Sequence, residues 1–380
     1  MKNILFLMRY PLEDAYNLKQ KFDGQMQSAV NLGYNVYHLA YDKKNIYLIN
    51  VNKKSKEKIC SATFGFLNAY RSTFGFYDLF KSLKIAMKTN HFNCIYMRSK
   101  IINSSALNIF KKYKSLGGKL IVEIPSYGSN EQVLSLIRVV IQKALSYWQK
   151  KLPQYVDLYT IIGTNDLKEY NDKPAICISN GVCVENYPLH QHKFNGELHI
   201  LALASMRNWQ GYDRLITGLA KYNGDLPVHI EMVGNDEDGS LSEWQKLAEQ
   251  LGVSDKVHFR GACYGQDLTE IIDRCDLAAA TLGLHRKSLG NASVLKVREY
   301  MARGIPFIYS YEDSCLSGNE SFALKVSNND SPVDINKLVD WAKTFTDKTS
   351  VAEEMRDFAR KNMSWESQLS QSFKFVLGEN

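Results

Sequence analysis

Between Leu282 and Tyr311 the sequence LGLHRKSLGNASVLKVREYMARGIPFIYSY places Lys296 and Glu299 three residues apart, behind a run of small polar residues. At helical spacing the two side chains share a face. A helix that opens here leaves unpaired backbone N–H groups at its mouth, and its dipole favours an anion there. A phosphate at the mouth and a carboxylate farther in for sugar hydroxyls would make a nucleotide-sugar site. The helix is marked by its own residues. Asn291 is a good N-cap and Ser293 adds polarity to the first turn. Val294, Leu295, Val297, Met301 and Ala302 can line one broad apolar face. Gly304 and Pro306 stop the helix, and Phe307–Tyr309 suit a short buried strand.

Around this stretch the chain alternates strand-like and helix-like segments. Ile4–Met8, Val36–Ala40, Ile46–Val51, Ile95–Met97, Leu120–Ile124, Leu158–Gly163 and Ala175–Ser179 are short, apolar and rich in β-branched or aromatic residues. Helical patterns such as Phe22–Leu32 and Ala106–Leu116 lie between them. Strands alternating with helices indicate a parallel, doubly wound sheet, whose ligands sit at the carboxyl ends of the strands. Those ends carry Arg9, Arg98 and the run from Glu123 to Gly128. A polar stretch without periodicity, Leu189–Gly196, reads as a linker. A second alternation follows: strands at His199–Ala204, Val228–Val233, Val257–Phe259, Leu277–Ala280 and Pro306–Tyr309, and helices at Tyr212–Ala220 and after the capping box Ser240/Glu243. Beyond Pro332 the chain is helical, with a break near Asn362–Ser364.

At 380 residues, 45% hydrophobic and 23% charged, this is a globular chain long enough for two domains. No apolar run reaches the roughly 18–20 residues of a membrane span. The opening MKNILFLMRYP reads as a first strand and not as an export signal. Seven cysteines without a C-x-x-C pair indicate reduced thiols and a cytoplasmic protein. His190 and His192 lack further ligands at metal spacing, so no metal site is expected. The net charge of +7 is uneven: residues 1–190 hold 26 Lys+Arg against 13 Asp+Glu. The basic half must meet something anionic: lipid head groups, a phosphorylated substrate or nucleic acid. No nucleic-acid-reading motif accompanies it.

Several segments together resemble a known family. Gln25–Val36 is similar to its first helix, Glu123–Tyr127 to an E-I-P-T-Y element, and Asn180-Gly181-Val182 to the N-G-[IV]-D before the linker. Val233-Gly234-Asn235 is similar to a V-G-x-G loop and Val257–Gly261 to a V-x-F-x-G strand. Ser293–Pro306 is similar to S-P-L-K-x-x-E-Y-M-A-x-G-x-P. Across nearly its whole length the chain resembles the GT-B glycosyltransferases of retaining family 4, of the kind that builds bacterial surface polysaccharides. The resemblance implies two Rossmann-like domains facing a cleft, with C-terminal helices returning toward the first. The expected limits are residues 1–188 for an acceptor domain, 189–197 for a linker, 198–362 for a donor domain and 363–380 for the returning helix.

By the same resemblance the second domain holds a nucleotide sugar through Ser205, Arg207, Gly234, Asn291, Ser293, Val294, Leu295, Lys296 and Glu299. Glu299 would take the ribose hydroxyls, and Lys296 with the helix-mouth amides the diphosphate. Three departures stand out: the first glutamate of the E-x(7)-E motif falls on Asn291, and the usual phosphate-flanking Arg and Lys fall on Ser205 and Gln210. Arg207, Arg214, Arg286, Lys287 or Lys296 could replace those cations. The His285-Arg286-Lys287 loop is the preferred source, so Arg286, Lys296 and Glu299 are the expected catalytic group. Arg9, Arg98, Glu123 and Tyr127 are candidates for the acceptor side. The implied acceptor is a glycan or a lipid-linked glycan, and no cofactor beyond the donor is expected. Val133–Leu152, an apolar helix with Arg138, Lys143, Lys150 and Lys151, could lie on an anionic membrane. The alternative class is a degenerate GT-B protein that partners another transferase, motivated by Asn291, Ser205 and Gln210.

Overall fold

The computed structural model describes residues 1–12, 18–42, 44–63, 75–98, 102–125, 147–164, 166–190, 196–345 and 348–379. Tyr127 and most of Val133–Leu152 therefore lie outside the described residues. The chain divides into two compact units, Met1–Gly181 with Trp365–Asn380, and Val182–Ser364. This division falls before the expected limit at 188. Val182 belongs to the second unit because its N–H donates to Met363 O (2.8 Å) and it bridges Ser364 in parallel.

In the first unit the strands are β1 (Asn3–Pro11), β2 (Asn35–Tyr41), β3 (Asn45–Asn50), β4 (Ser55–Ser61), β5 (Cys94–Met97), β6 (Lys119–Ile124), β7 (Leu158–Ile162), β8 (Glu169–Tyr170) and β9 (Lys173–Ile178). They form one sheet in the order β4-β3-β2-β1-β5-β6-β7-β9-β8. From β2 to β9 neighbours run parallel; β3 and β4 add an antiparallel edge, and β8 pairs antiparallel with β9. The central strands are mostly apolar, as strands covered on both faces require; Leu158–Ile162 is buried at every position. Helices α1 (Lys19–Asn31), α2 (Gly75–Thr89) and α3 (Ser104–Ser115) follow β1, β4 and β5.

The second unit holds β10 (Leu198–Leu203), α4 (Asp213–Ala220), β11 (Val228–Val233), α5 (Ser240–Gln250), β12 (Val257–Gly261), α6 (Gly265–Asp273), β13 (Leu277–Ala279), α7 (Leu295–Arg303), β14 (Phe307–Tyr309), β15 (Ala323–Lys325), α8 (Ile335–Ala342) and α9 (Lys348–Phe358). Its six strands run parallel in the order β12-β11-β10-β13-β14-β15. Renumbered from β10, that is 3-2-1-4-5-6, the dinucleotide-fold order whose direction reverses between β10 and β13. Even residues of β10 and β11 (Leu198, Ile200, Ala202, Val228, Ile230, Met232) enter one core cluster, while Leu201 and Val233 enter the other. The sheet is thus covered on both faces, and ligand chemistry is left to the crevice at its carboxyl edge. Finally α10 (Trp365–Leu377) belongs to the first unit. Its Phe373 packs edge-on against Phe6 and Tyr34, so the chain's last helix returns to the domain in which it began.

Candidate functional site: the carboxyl edge of the second unit

The switch point between β10 and β13 is built from three loops. The first runs from Ala204 to Tyr212, the second follows β13 from Ala280, and the third leads into α7. The first two meet backbone to backbone. Gly211 has φ +72°, and a Cβ there would come within 2.5 Å of Gly283 N. Leu282 N–H donates to Gln210 O at 2.8 Å across the same contact. Gly234 is equally constrained: at φ +144°, a Cβ would meet Ala204 O at 1.6 Å. Its role is to let the β11 loop lie against the β10 loop, which places Gly234 beside the site as a spacer.

Lys296 lies at the centre. Its ammonium donates to Gln210 Oε1 at 2.8 Å and to the Tyr212 hydroxyl at 2.7 Å. Both acceptors are set by further bonds. Thr281 Oγ1 also donates to Gln210 Oε1 (3.1 Å), and the Tyr212 hydroxyl donates to Ala279 O (3.3 Å) and Leu203 O (3.4 Å). Among the described residues no carboxylate lies within ion-pair distance of this ammonium. Burial without a counter-charge lowers its pKa from the ordinary 10.5 to about 7. A lysine held only by neutral oxygens at the carboxyl edge is a cation awaiting an anion. Gln210 and Tyr212 were not among the expected site residues. The signal for Gln210 was its place at a position where the resemblance expects a lysine; Tyr212 gave none.

The mouth of α7 differs from the expected one. The helix begins at Leu295 with Val294 at the N-cap and no side-chain cap bond. Asn291 does not cap it. That residue is exposed and bridged in parallel to Glu312, and next to it Ala292 N–H donates to Glu312 O at 3.0 Å. Leu295 is exposed and not inward-facing. Ser293 Oγ accepts from Arg298 (3.1 Å), which is clamped by Asp313 through two 2.7 Å bonds with both side chains buried. This buried pair ties the lead-in of α7 to the loop after β14, a role the sequence did not reveal. On the helix, Glu299 is half-buried and accepts from Arg303 Nε at 2.9 Å. One carboxylate oxygen is engaged there, and the pair of oxygens retains acceptor capacity for hydroxyls.

The proposed cations upstream are committed elsewhere. Arg286 makes a two-pronged pair with Asp213 (2.9 and 2.7 Å), contacts Asp330 (2.8 Å) and donates to Asn208 O (2.7 Å). Two carboxylates already pair with it. Arg214 is buried and donates to Ser331 O (2.7 Å) and Leu282 O. The Lys287 ammonium lies 4.6 Å from the Trp209 ring centroid. Arg207, half-buried, meets Glu237 at 3.3 Å, and Ser205 is exposed on the same loop.

In the first unit the carboxyl edge brings together Arg98 and Glu123. Glu123 is 1% exposed. It accepts from Lys21 (3.0 Å), Gln25 (2.6 Å) and Tyr96 (2.7 Å), with Arg98 at 3.4 Å. Burial would raise its pKa, but Lys21 and Arg98 hold it down at about 2. A carboxylate so enclosed is a strut between α1 and the sheet. Arg9 is half-buried near the end of β1, within the irregular pairing between Phe6 and Tyr10. Among the described residues no helix is long and apolar enough to cross a membrane, and no cluster of three or more candidate metal ligands occurs.

Residues 187–343 match the family model for group 1 glycosyl transferases. No curated protein matches the chain at the sequence level. Its fold is similar to that of a glycosyltransferase from Rickettsia africae at 13% identity and a TM-score of 0.63, covering 100% of this chain and 99% of that one. Anabaena HepE, crystallised with UDP, is similar at 13% identity and 0.60, covering 98% and 100%. WaaG, a glycosyltransferase of lipopolysaccharide biosynthesis, is similar at 14% and 0.57, covering 99% and 100%. The two Rossmann-like units are those of the GT-B glycosyltransferase fold.

Proposed function

We propose that this chain is a glycosyltransferase that moves a sugar, a hexose by expectation, from a nucleotide-sugar donor to a glycan or lipid-linked glycan acceptor. The single observation that carries the reading is Lys296: an ammonium without a counter-charge at the switch point of a dinucleotide-type sheet, beside an uncapped helix mouth. The donor's diphosphate supplies the missing charge, and Glu299, one turn farther along α7, accepts from the ribose hydroxyls. The binding of UDP by the structural relative HepE agrees with such a donor.

Transfer then proceeds with retention on the face from which the diphosphate leaves. The bond from the anomeric carbon to phosphate oxygen breaks, the acceptor oxygen bonds to that carbon, and its proton passes to the departing phosphate. The protein's part is positioning and electrostatic stabilisation of the leaving group. We place the reaction in bacterial surface-polysaccharide assembly, in the cytoplasm and against an anionic membrane face. A net positive first half supports that placement, since each basic residue near such a surface adds about 1 kcal/mol. Sedimentation with anionic vesicles at low salt, lost at high salt and absent with neutral vesicles, is the expected result for the membrane part.

A second reading is favoured by Asn291 paired to the Glu312 backbone and Arg286 already neutralised: a degenerate GT-B protein that partners another transferase. Hydrolysis assays with UDP-, GDP- and dTDP-sugars separate the two. Turnover of one of them supports the enzyme; binding without turnover, even with an acceptor panel of lipid-linked glycans, supports the partner.

A further inference from the structure

We propose that Gln210 is the positioning residue of the diphosphate subsite, and that its uncharged amide makes Lys296 take up a proton when a nucleoside diphosphate enters. This rests on the reading of the α7 mouth as the donor site. Gln210 is 4% exposed and is fixed at every polar group named here. Its backbone carbonyl accepts from Leu282 N–H (2.8 Å), and its amide nitrogen donates toward Ser205 O (3.4 Å). Its amide oxygen accepts from both Thr281 (3.1 Å) and Lys296 (2.8 Å). That arrangement turns the oxygen, and not the NH₂, toward the ammonium. Tyr212 is constrained in the same way, since its proton goes to backbone carbonyls and its lone pair is left for Lys296.

The consequence follows from what these partners lack. They orient the ammonium without neutralising it, so burial is opposed only by dipoles and proton affinity falls to about 7. An arriving diphosphate supplies full negative charge and restores the affinity toward its ordinary value. A carboxylate at 210 would hold the proton permanently and cancel the charge the ligand needs. A lysine at 210 would set two ammonium groups against each other. The neutral amide is the choice that keeps Lys296 both aimed and proton-responsive.

The full chain is titrated with UDP by calorimetry between pH 7.5 and 9.0, where the phosphates of UDP do not change charge, in buffers of different ionisation enthalpy. The expected result is uptake of about one proton per UDP near pH 8.5, with affinity falling about 25-fold across that range. Gln210→Glu should bind UDP at least tenfold more weakly at pH 7.5 and lose the proton uptake. Lys296→Met should lose the uptake as well, which assigns the proton. UDP binding by the unsubstituted chain without proton uptake, or uptake that survives Lys296→Met, overturns the proposal while leaving the donor site standing. Failure of both UDP and inorganic pyrophosphate to bind at any pH removes the donor-site reading and the proposal with it. Should Gln210→Glu fail to fold, the proton count of the unsubstituted chain and of Lys296→Met decides the matter.

Discussion

Replacing Lys296 with methionine should raise the stability of the free protein and weaken its hold on a nucleoside diphosphate. The two effects have one cause. In the free protein the ammonium is buried without a counter-charge, and its pKa is displaced from 10.5 to about 7. At about 1.36 kcal/mol per unit the displacement sets an upper bound of roughly 5 kcal/mol on the cost of the charged form. Water reaching a half-buried side chain reduces that to roughly 2–3 kcal/mol near pH 7. Methionine removes the cost and leaves no orphaned acceptor. Gln210 Oε1 keeps Thr281 as a donor, and Tyr212 keeps its carbonyls. A unit of this size gains about 2–4 °C in Tm per kcal/mol, so the melting temperature should rise by several degrees. Between pH 7 and 10.5 the unfolded chain holds a proton that the folded chain lacks, so the unsubstituted protein gains stability as pH rises. The advantage of the variant should therefore shrink with pH and vanish near 10.5. Binding moves the other way, because a charge-assisted contact worth about 1.5–3 kcal/mol is lost, or roughly 10- to 150-fold in Kd for UDP. Denaturant unfolding at several pH values and calorimetry with UDP read the two effects. A variant less stable than the parent at pH 7, or one that binds UDP equally well, would refute the reasoning.

Glu299→Ala should weaken donor binding by about tenfold or more and, by leaving the buried Arg303 without its carboxylate, cost roughly 1–3 kcal/mol of stability; Glu299→Gln should be milder on both counts because an amide oxygen still accepts. Arg286→Ala should act on stability and not on turnover. It leaves Asp213 without its two-pronged partner, at a cost of roughly 1–3 kcal/mol in denaturant unfolding, with kcat and KM close to those of the parent. His38 is 5% exposed, and burial holds its pKa down at about 4. The unfolded chain binds this proton below about 6.5 while the folded chain does not, so His38 lowers stability as pH falls from 6.5 to 4. His38→Phe should flatten that acid limb by roughly 2–3 kcal/mol at pH 4; an unchanged limb would assign the loss to other groups.

How much of this was legible in the sequence depended on whether the deciding contact was local. The strands of both sheets announce themselves as short β-branched or aromatic runs because they are covered on both faces. Edge strand β4, SKEKICS, escaped notice because it is mostly exposed and has no apolar face to display. Gly304 ends α7 where the pattern placed the stop. Its N-cap was misplaced by three residues, at Asn291 and not Val294, since Asn291 is drawn into a bridge with Glu312 that local capping preference does not register. Arg286 was chosen for its neighbours in sequence, yet its partners Asp213 and Asp330 lie 73 and 44 residues away. The same holds for Glu123, whose enclosure by Lys21 depends on a contact spanning 102 residues.

The substitution at Gln210 shows the limit most sharply. Read along the chain, it is a lost cation. In space, the ammonium of Lys296 stands 2.8 Å from the Gln210 amide oxygen. On the proposed reading, Lys296 brings from α7 the charge that the resemblance expects from a lysine in the loop after β10. What a diphosphate requires is a charge at a point, and a chain can deliver that charge from any element that reaches the point. Comparison position by position records the element, so it scores such a relocation as a loss. The relocated lysine also differs in kind. It comes from the helix whose own mouth contributes the dipole, and its partners are neutral, so on the proposed reading its charge is conditional on the diphosphate.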